Sequence, residues 1–72
     1  MEFKDRLKLL RKEAKITQVA LANATNLTER QYQRLEAGSS LPMHTTLIAL
    51  ADYFDVSLDY LVGRSDNPKI NK

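Results

Sequence analysis

Residues 25–27, Thr-Asn-Leu, stand alone between two helical patterns, and no other stretch restricts the fold of this chain so strongly. Upstream lies VALANA, short and rich in small side chains, behind Thr17 as N-cap and Gln18 in the first turn. Downstream, Thr28 caps the start of TERQYQRLEAG, and Gly38 closes it. So short a joint excludes parallel or loosely antiparallel neighbours and makes the two helices cross steeply. The crossing dictates residue types. Ala22 must be small, because the downstream helix passes over it. Asn26 must tolerate a left-handed turn. Leu21, Leu27, Tyr32 and Leu35 must be apolar to bury the joint. All of these requirements are met between residues 21 and 35.

The remaining pattern is helical as well. Phe3, Leu7, Leu10 and Ala14 recur every three or four residues, which predicts an amphipathic helix over 3–14. Pro42 stands ahead of a fourth helix with Leu47, Leu50, Ala51 and Phe54 as its apolar stripe, and Asp55 turns the chain. Ser57 caps a short fifth helix, LDYLV, that stops at Gly63. No strand pattern or repeat is present. With 72 residues there is room for one core only. The expected architecture is all-α: a compact five-helix domain over 1–63 with a central helix-turn-helix, then a polar, flexible tail over 64–72.

Composition narrows the function classes. The chain has no cysteine, so neither disulfides nor thiolate metal sites support it, which suits a reducing cytoplasm. Its longest apolar run, LIALA at 47–51, is far too short to span a bilayer, and MEFKDRLK at the N-terminus has no apolar signal region. His44 is the single histidine and has no ligand cluster around it, so no metal is expected. Ser39, Ser40 and Thr45 lack a base, and Gly38 and Gly63 read as helix stops, not as a phosphate-binding loop. Neither enzyme activity nor a cofactor is expected. The net charge is only +2, and the charges of residues 2–15 read mostly as a solvated helix face.

That leaves the polar side of the third helix. Glu29, Arg30, Gln31, Gln33 and Arg34 are far more hydrogen-bonding groups than docking through Tyr32 and Leu35 requires. The run from RLKLLRKE through TQVALA and LEAG to ALADYFDVSLDYLVG, residues 6–63, resembles the phage repressor and Cro-type helix-turn-helix family. The resemblance implies a lambda-repressor-like fold and a regulator of transcription, most simply a repressor, that binds double-stranded DNA. By it, residues 28–34 form the recognition helix that enters the major groove, and Gln18 holds a phosphate. Arg offers paired donors to guanine, Gln bridges adenine, and Glu accepts from cytosine, so Glu29, Arg30, Gln31, Gln33 and Arg34 suit base reading. Thr17, Thr28, Ser39 and His44 complete the implied DNA face. Arg11 and Glu36 match an ion pair that joins the first and third helices.

The chain departs from the family pattern at Asn26, often Gly, at Tyr32, usually aliphatic, and at Thr25, commonly bulkier. The loop GSSLPMH lacks basic residues that some members place on phosphates, and Glu29 is acidic beside a polyanion. A weak homodimer through the fifth helix, with Ser57, Tyr60 and Val62 in contact, is a further expectation, and no small-molecule ligand is. The rival expectation is an antitoxin-like or anti-repressor module that keeps this fold and binds protein in place of DNA.

Overall fold

The computed structural model describes residues 1–69. Five helices follow in order: α1 (Phe3–Glu13), α2 (Gln18–Ala24), α3 (Glu29–Ala37), α4 (His44–Phe54) and α5 (Leu58–Leu61). They are the five helices that the periodicity predicts, and no strand occurs among the described residues. Local chemistry sets most of the boundaries. Thr17, Thr28 and Ser57 are N-caps, and their hydroxyls accept from the backbone N–H of Ala20, Gln31 and Tyr60. Each cap satisfies a donor that the first helical turn leaves free. Gly38 ends α3 in the left-handed conformation at φ 77°, and the Ser39 N–H reaches back to the Arg34 carbonyl at 3.0 Å.

Asn26 and Asp55 are left-handed at φ 60° and 56°, at the two turns that their side chains favour. Lys15 is also left-handed, at φ 57°, where the sequence gives no warning. It turns the chain one residue after Ala14, which is the C-cap of α1 and not its last turn.

The apolar stripes converge on one core of Leu7, Leu10, Leu21, Ala22, Tyr32, Leu35, Leu50, Ala51, Val56 and Leu61. Ala22 is fully buried where α2 meets α3, as the steep crossing demands. Tyr32 is the largest side chain with no exposed surface, so an aromatic ring occupies the position where the family usually places an aliphatic group. Thr25 is buried too, and its hydroxyl donates to the Leu21 carbonyl at 2.8 Å.

The C-terminal segment returns to the domain. The N–H groups of Arg64 and Ser65 donate to the Asp59 carbonyl, and the Ser57 N–H donates to the Pro68 carbonyl at 3.0 Å. Asp66 reaches the buried Arg6 guanidinium at 3.4 Å, and that guanidinium lies over the Tyr60 ring, 3.8 Å from its centroid. Gly63 allows the chain to pass the N-terminus closely: φ is 85°, and a Cβ there would sit 1.7 Å from the Met1 carbonyl oxygen. Residues 70–72, the end of the expected flexible tail, lie outside the described residues.

Candidate functional site

The turn at 25–28 fixes which side of α3 faces outward. Tyr32, Leu35 and Glu36 point into the domain, and Glu29, Arg30, Gln31, Gln33 and Arg34 are all exposed on the other side. The polar residues singled out from the sequence therefore share one face. They are not equivalent. The Gln31 side-chain oxygen accepts from the Thr28 N–H at 2.9 Å, while the Gln31 N–H donates to the Thr28 hydroxyl at 3.1 Å. This is a capping box.

An adenine contact through both ends of an amide needs that same oxygen. In the free domain Gln31 is thus engaged at the helix start through one lone pair of its oxygen, with its NH2 group and the second lone pair spare. The Gln33 amide donates to Glu29 at 3.3 Å, one turn back, which also engages the acidic side chain. Arg30 and Arg34 differ: neither joins an ion pair among the described residues. Both guanidiniums, spaced i and i+4, project on the same exposed strip.

Beneath that face lies the Arg11–Glu36 pair, which the resemblance implies. Arg11 Nε and Nη2 donate to the two Glu36 carboxylate oxygens at 2.5 and 3.2 Å, and Nη1 donates to the Ile16 carbonyl at 3.1 Å. Glu36 is buried. Burial alone pushes its carboxyl up, but the Arg11 hydrogen bonds and charge outweigh that and hold it below the usual carboxylate range. Tyr32 lies buried beside the pair, and burial pushes its phenol far above its ordinary value, so it stays neutral. Its hydroxyl has no hydrogen-bond partner among the described residues.

The Gln18 amide also enters this network, donating to Glu36 at 3.4 Å. One of its two amide hydrogens is thereby engaged and the other is available. Thr17, Thr28, Ser39 and His44 are exposed, and Gln18 is half-buried. Thr17 and Thr28 flank α2 and α3 as caps, and Ser39 and His44 bracket the α3–α4 loop.

The loop itself holds exposed apolar side chains. Leu41 is 94% exposed and Met43 71%, the two most exposed large apolar side chains of the domain. Ser40, Leu41, Pro42 and Met43 share a groove with Gln31 and Arg34 of α3. No periodic signal marks them, because loop residues carry none.

Ser57, Tyr60 and Val62 are each half-buried. Ser57 is occupied as the α5 cap, and the Tyr60 ring carries the Arg6 guanidinium. At this end of the domain the exposed apolar side chains are Ile48, Tyr53 and Leu58. Among the described residues no group of three or more His, Cys, Asp or Glu could hold a metal ion, and no helix is long and apolar enough to cross a membrane.

Comparisons with known proteins agree with this geometry. A family model described as Helix-turn-helix matches residues 7–61. The chain is 40% identical over 68 residues to YqaE of Bacillus subtilis (strain 168), an uncharacterized HTH-type transcriptional regulator. That match covers 94% of this chain and 59% of YqaE. It is 34% identical over 64 residues to RstR, the cryptic phage CTXphi transcriptional repressor of Vibrio cholerae, covering 89% of this chain and 57% of RstR. The chain therefore spans less than three fifths of the length of these relatives.

Among solved structures, the P22 c2 repressor in complex with synthetic operator 9T superposes with a TM-score of 0.84 at 26% identity, over 90% of this chain and 98% of that one. A transcriptional regulator from Listeria innocua superposes with a TM-score of 0.82 at 30% identity, over 99% of this chain and 62% of that one. In its caps, its left-handed turn, its buried crossing and its matched span, the chain belongs to the Cro- and phage-repressor-type helix-turn-helix family.

Proposed function

We propose that this chain is a cytoplasmic, sequence-specific regulator of transcription that binds double-stranded DNA and acts as a repressor by occupying its site. The observation that carries this reading is the exposed strip of α3, with Arg30 and Arg34 free of ion pairs, on a domain that superposes on an operator-bound repressor. With α3 in the major groove, the two guanidiniums offer paired donors to guanine O6 and N7. Gln18 and the exposed caps Thr17 and Thr28 meet phosphates, which set register without reading sequence. The DNA-binding unit is residues 1–63, and no catalytic role is assigned to any residue.

One short helix reads few base pairs, too few for useful selectivity among genomic sites. Two copies, with their α3 helices about 34 Å apart, would read one full turn of DNA. The contact between copies is assigned to the α4–α5 end. Because Tyr60 is committed to Arg6, the exposed Ile48 and Leu58 are the better candidates there. Selection of bound duplexes from a random pool tests the whole reading. A two-fold symmetric sequence is expected, bound cooperatively as a whole site and weakly as a half site. Leu58→Glu should abolish the cooperativity while half-site binding persists. Recovery of no preferred sequence would remove the sequence-specific reading, and equal affinity for whole and half sites would remove the dimer.

A further inference from the structure

Glu29, Arg30, Gln31, Gln33 and Arg34, the exposed side chains of the first two turns of α3, are all polar. A major groove presents more than donors and acceptors. Every A·T pair also displays the thymine C5 methyl, which is read by apolar contact. Within the domain, apolar surface next to the strip is supplied by the α3–α4 loop. Leu41 and Met43 border the groove that Gln31 and Arg34 line from the other side. Their exposure, 94% and 71%, leaves nearly all of that surface in water in the free protein.

The loop is also built to hold them out. Pro42 is half-buried, and as a proline it disfavours helical backbone at the preceding Leu41, whose side chain stands exposed. Ser39 is fixed on the α3 side by its N–H bond to the Arg34 carbonyl, and Met43 is the N-cap residue of α4. Residues 39–43 carry no basic side chain with which to hold a phosphate.

From this juxtaposition of an apolar loop tip and the polar strip of α3 along one groove, we infer that Leu41 and Met43 are specificity-determining residues that contact thymine methyl groups. The contact lies beside the base pair met by Arg34. This rests on the DNA reading above and adds to it a source of sequence preference outside α3. Burying a methyl group against Leu41 is worth about a fourfold gain in affinity.

The test uses the full chain and a duplex selected from a random pool, prepared once with thymine and once with deoxyuridine at every thymine position. Deoxyuridine keeps the pairing and lacks only the C5 methyl. The parent is expected to lose about fourfold or more on the deoxyuridine duplex. Leu41→Ser, a change at a solvent-exposed position that should leave the melting temperature unaltered, is expected to lose a similar factor on the thymine duplex. It should lose little further on the deoxyuridine one. Met43→Ser should behave in the same direction.

If the parent binds the selected duplex but Leu41→Ser and Met43→Ser keep its full methyl dependence, the loop does not read thymine. If neither variant changes affinity for either duplex, the apolar tip belongs to a protein partner and the inference fails. A parent that binds no duplex at all overturns the DNA reading and this inference together, and is distinguished by that alone.

Discussion

Glu36→Ala is expected to destabilise the domain by about 3 kcal/mol, the low end of the cost of breaking a buried ion pair, because the Arg11 guanidinium left behind is only partly buried. Glu36 is 5% exposed and takes both of its main hydrogen bonds from Arg11. Removing it strands the Arg11 guanidinium beneath α3 and also releases the Gln18 amide. Small domains have stabilities near the lower end of about 5–15 kcal/mol, so most of the margin would go. The denaturant midpoint measures it. A loss below about 1 kcal/mol would mean that the pair is screened by solvent like a surface bridge.

The paired replacement Arg11→Met with Glu36→Leu should recover much of the loss, because it removes the desolvated charges together. Acid provides a second readout. The Glu36 carboxyl is held below its ordinary value of 4.5 in the folded state, so the stability it contributes is fully present above that value. That contribution is lost as pH falls through the lower folded value. The double variant should therefore show a shallower acid dependence than the parent.

Arg30→Ala is expected to weaken binding to the selected site by about 1–3 kcal/mol if its guanidinium pairs with guanine, and to cost much less on random duplex. The contrast with Gln18→Ala carries the meaning. A phosphate contact holds no sequence information, so Gln18→Ala should weaken both duplexes alike. Gln18 also donates to Glu36, so its variant must first be shown to keep the parent's melting behaviour. Electrophoretic or anisotropy titrations of the four combinations decide it. Equal losses for Arg30→Ala on both duplexes would reassign that arginine to the backbone.

What was legible in the sequence was what is local. Phe3, Leu7 and Leu10 reveal α1 because three- and four-residue spacing is the helix period itself. Thr17, Thr28 and Ser57 reveal helix starts because a cap bonds only three residues ahead. Asn26 and Asp55 mark turns because their side chains tolerate left-handed backbone. The Gln31 cap was legible in principle, since Thr-x-x-Gln is the capping-box pattern, but the same residue also suits adenine, and only geometry shows where its oxygen lies.

The contacts that sequence spacing cannot carry are the distant ones. Arg11 and Glu36 are 25 positions apart, and the family resemblance, not periodicity, joined them. Arg6 and Asp66 are 60 apart, and nothing local announces that Arg6 is buried against Tyr60, so the fifth helix read as having a freer aromatic face than it has. Exposure in loops is equally silent. Leu41 and Met43 look unremarkable in GSSLPMH until the groove beside Arg34 is seen.

The central claim, that α3 and its surroundings bind duplex DNA, is tested most directly by titrating the protein against selected and random duplexes at several salt concentrations. A linear fall of log affinity with log salt is expected on both, each neutralised phosphate adding about 0.9 to the slope. Binding to the selected duplex should be tighter at every salt concentration. Because the loop at 39–43 carries no basic side chain, the slope should be shallow for its class. Absence of binding to either duplex at low salt would contradict the claim and leave this helix-turn-helix as a protein-binding module.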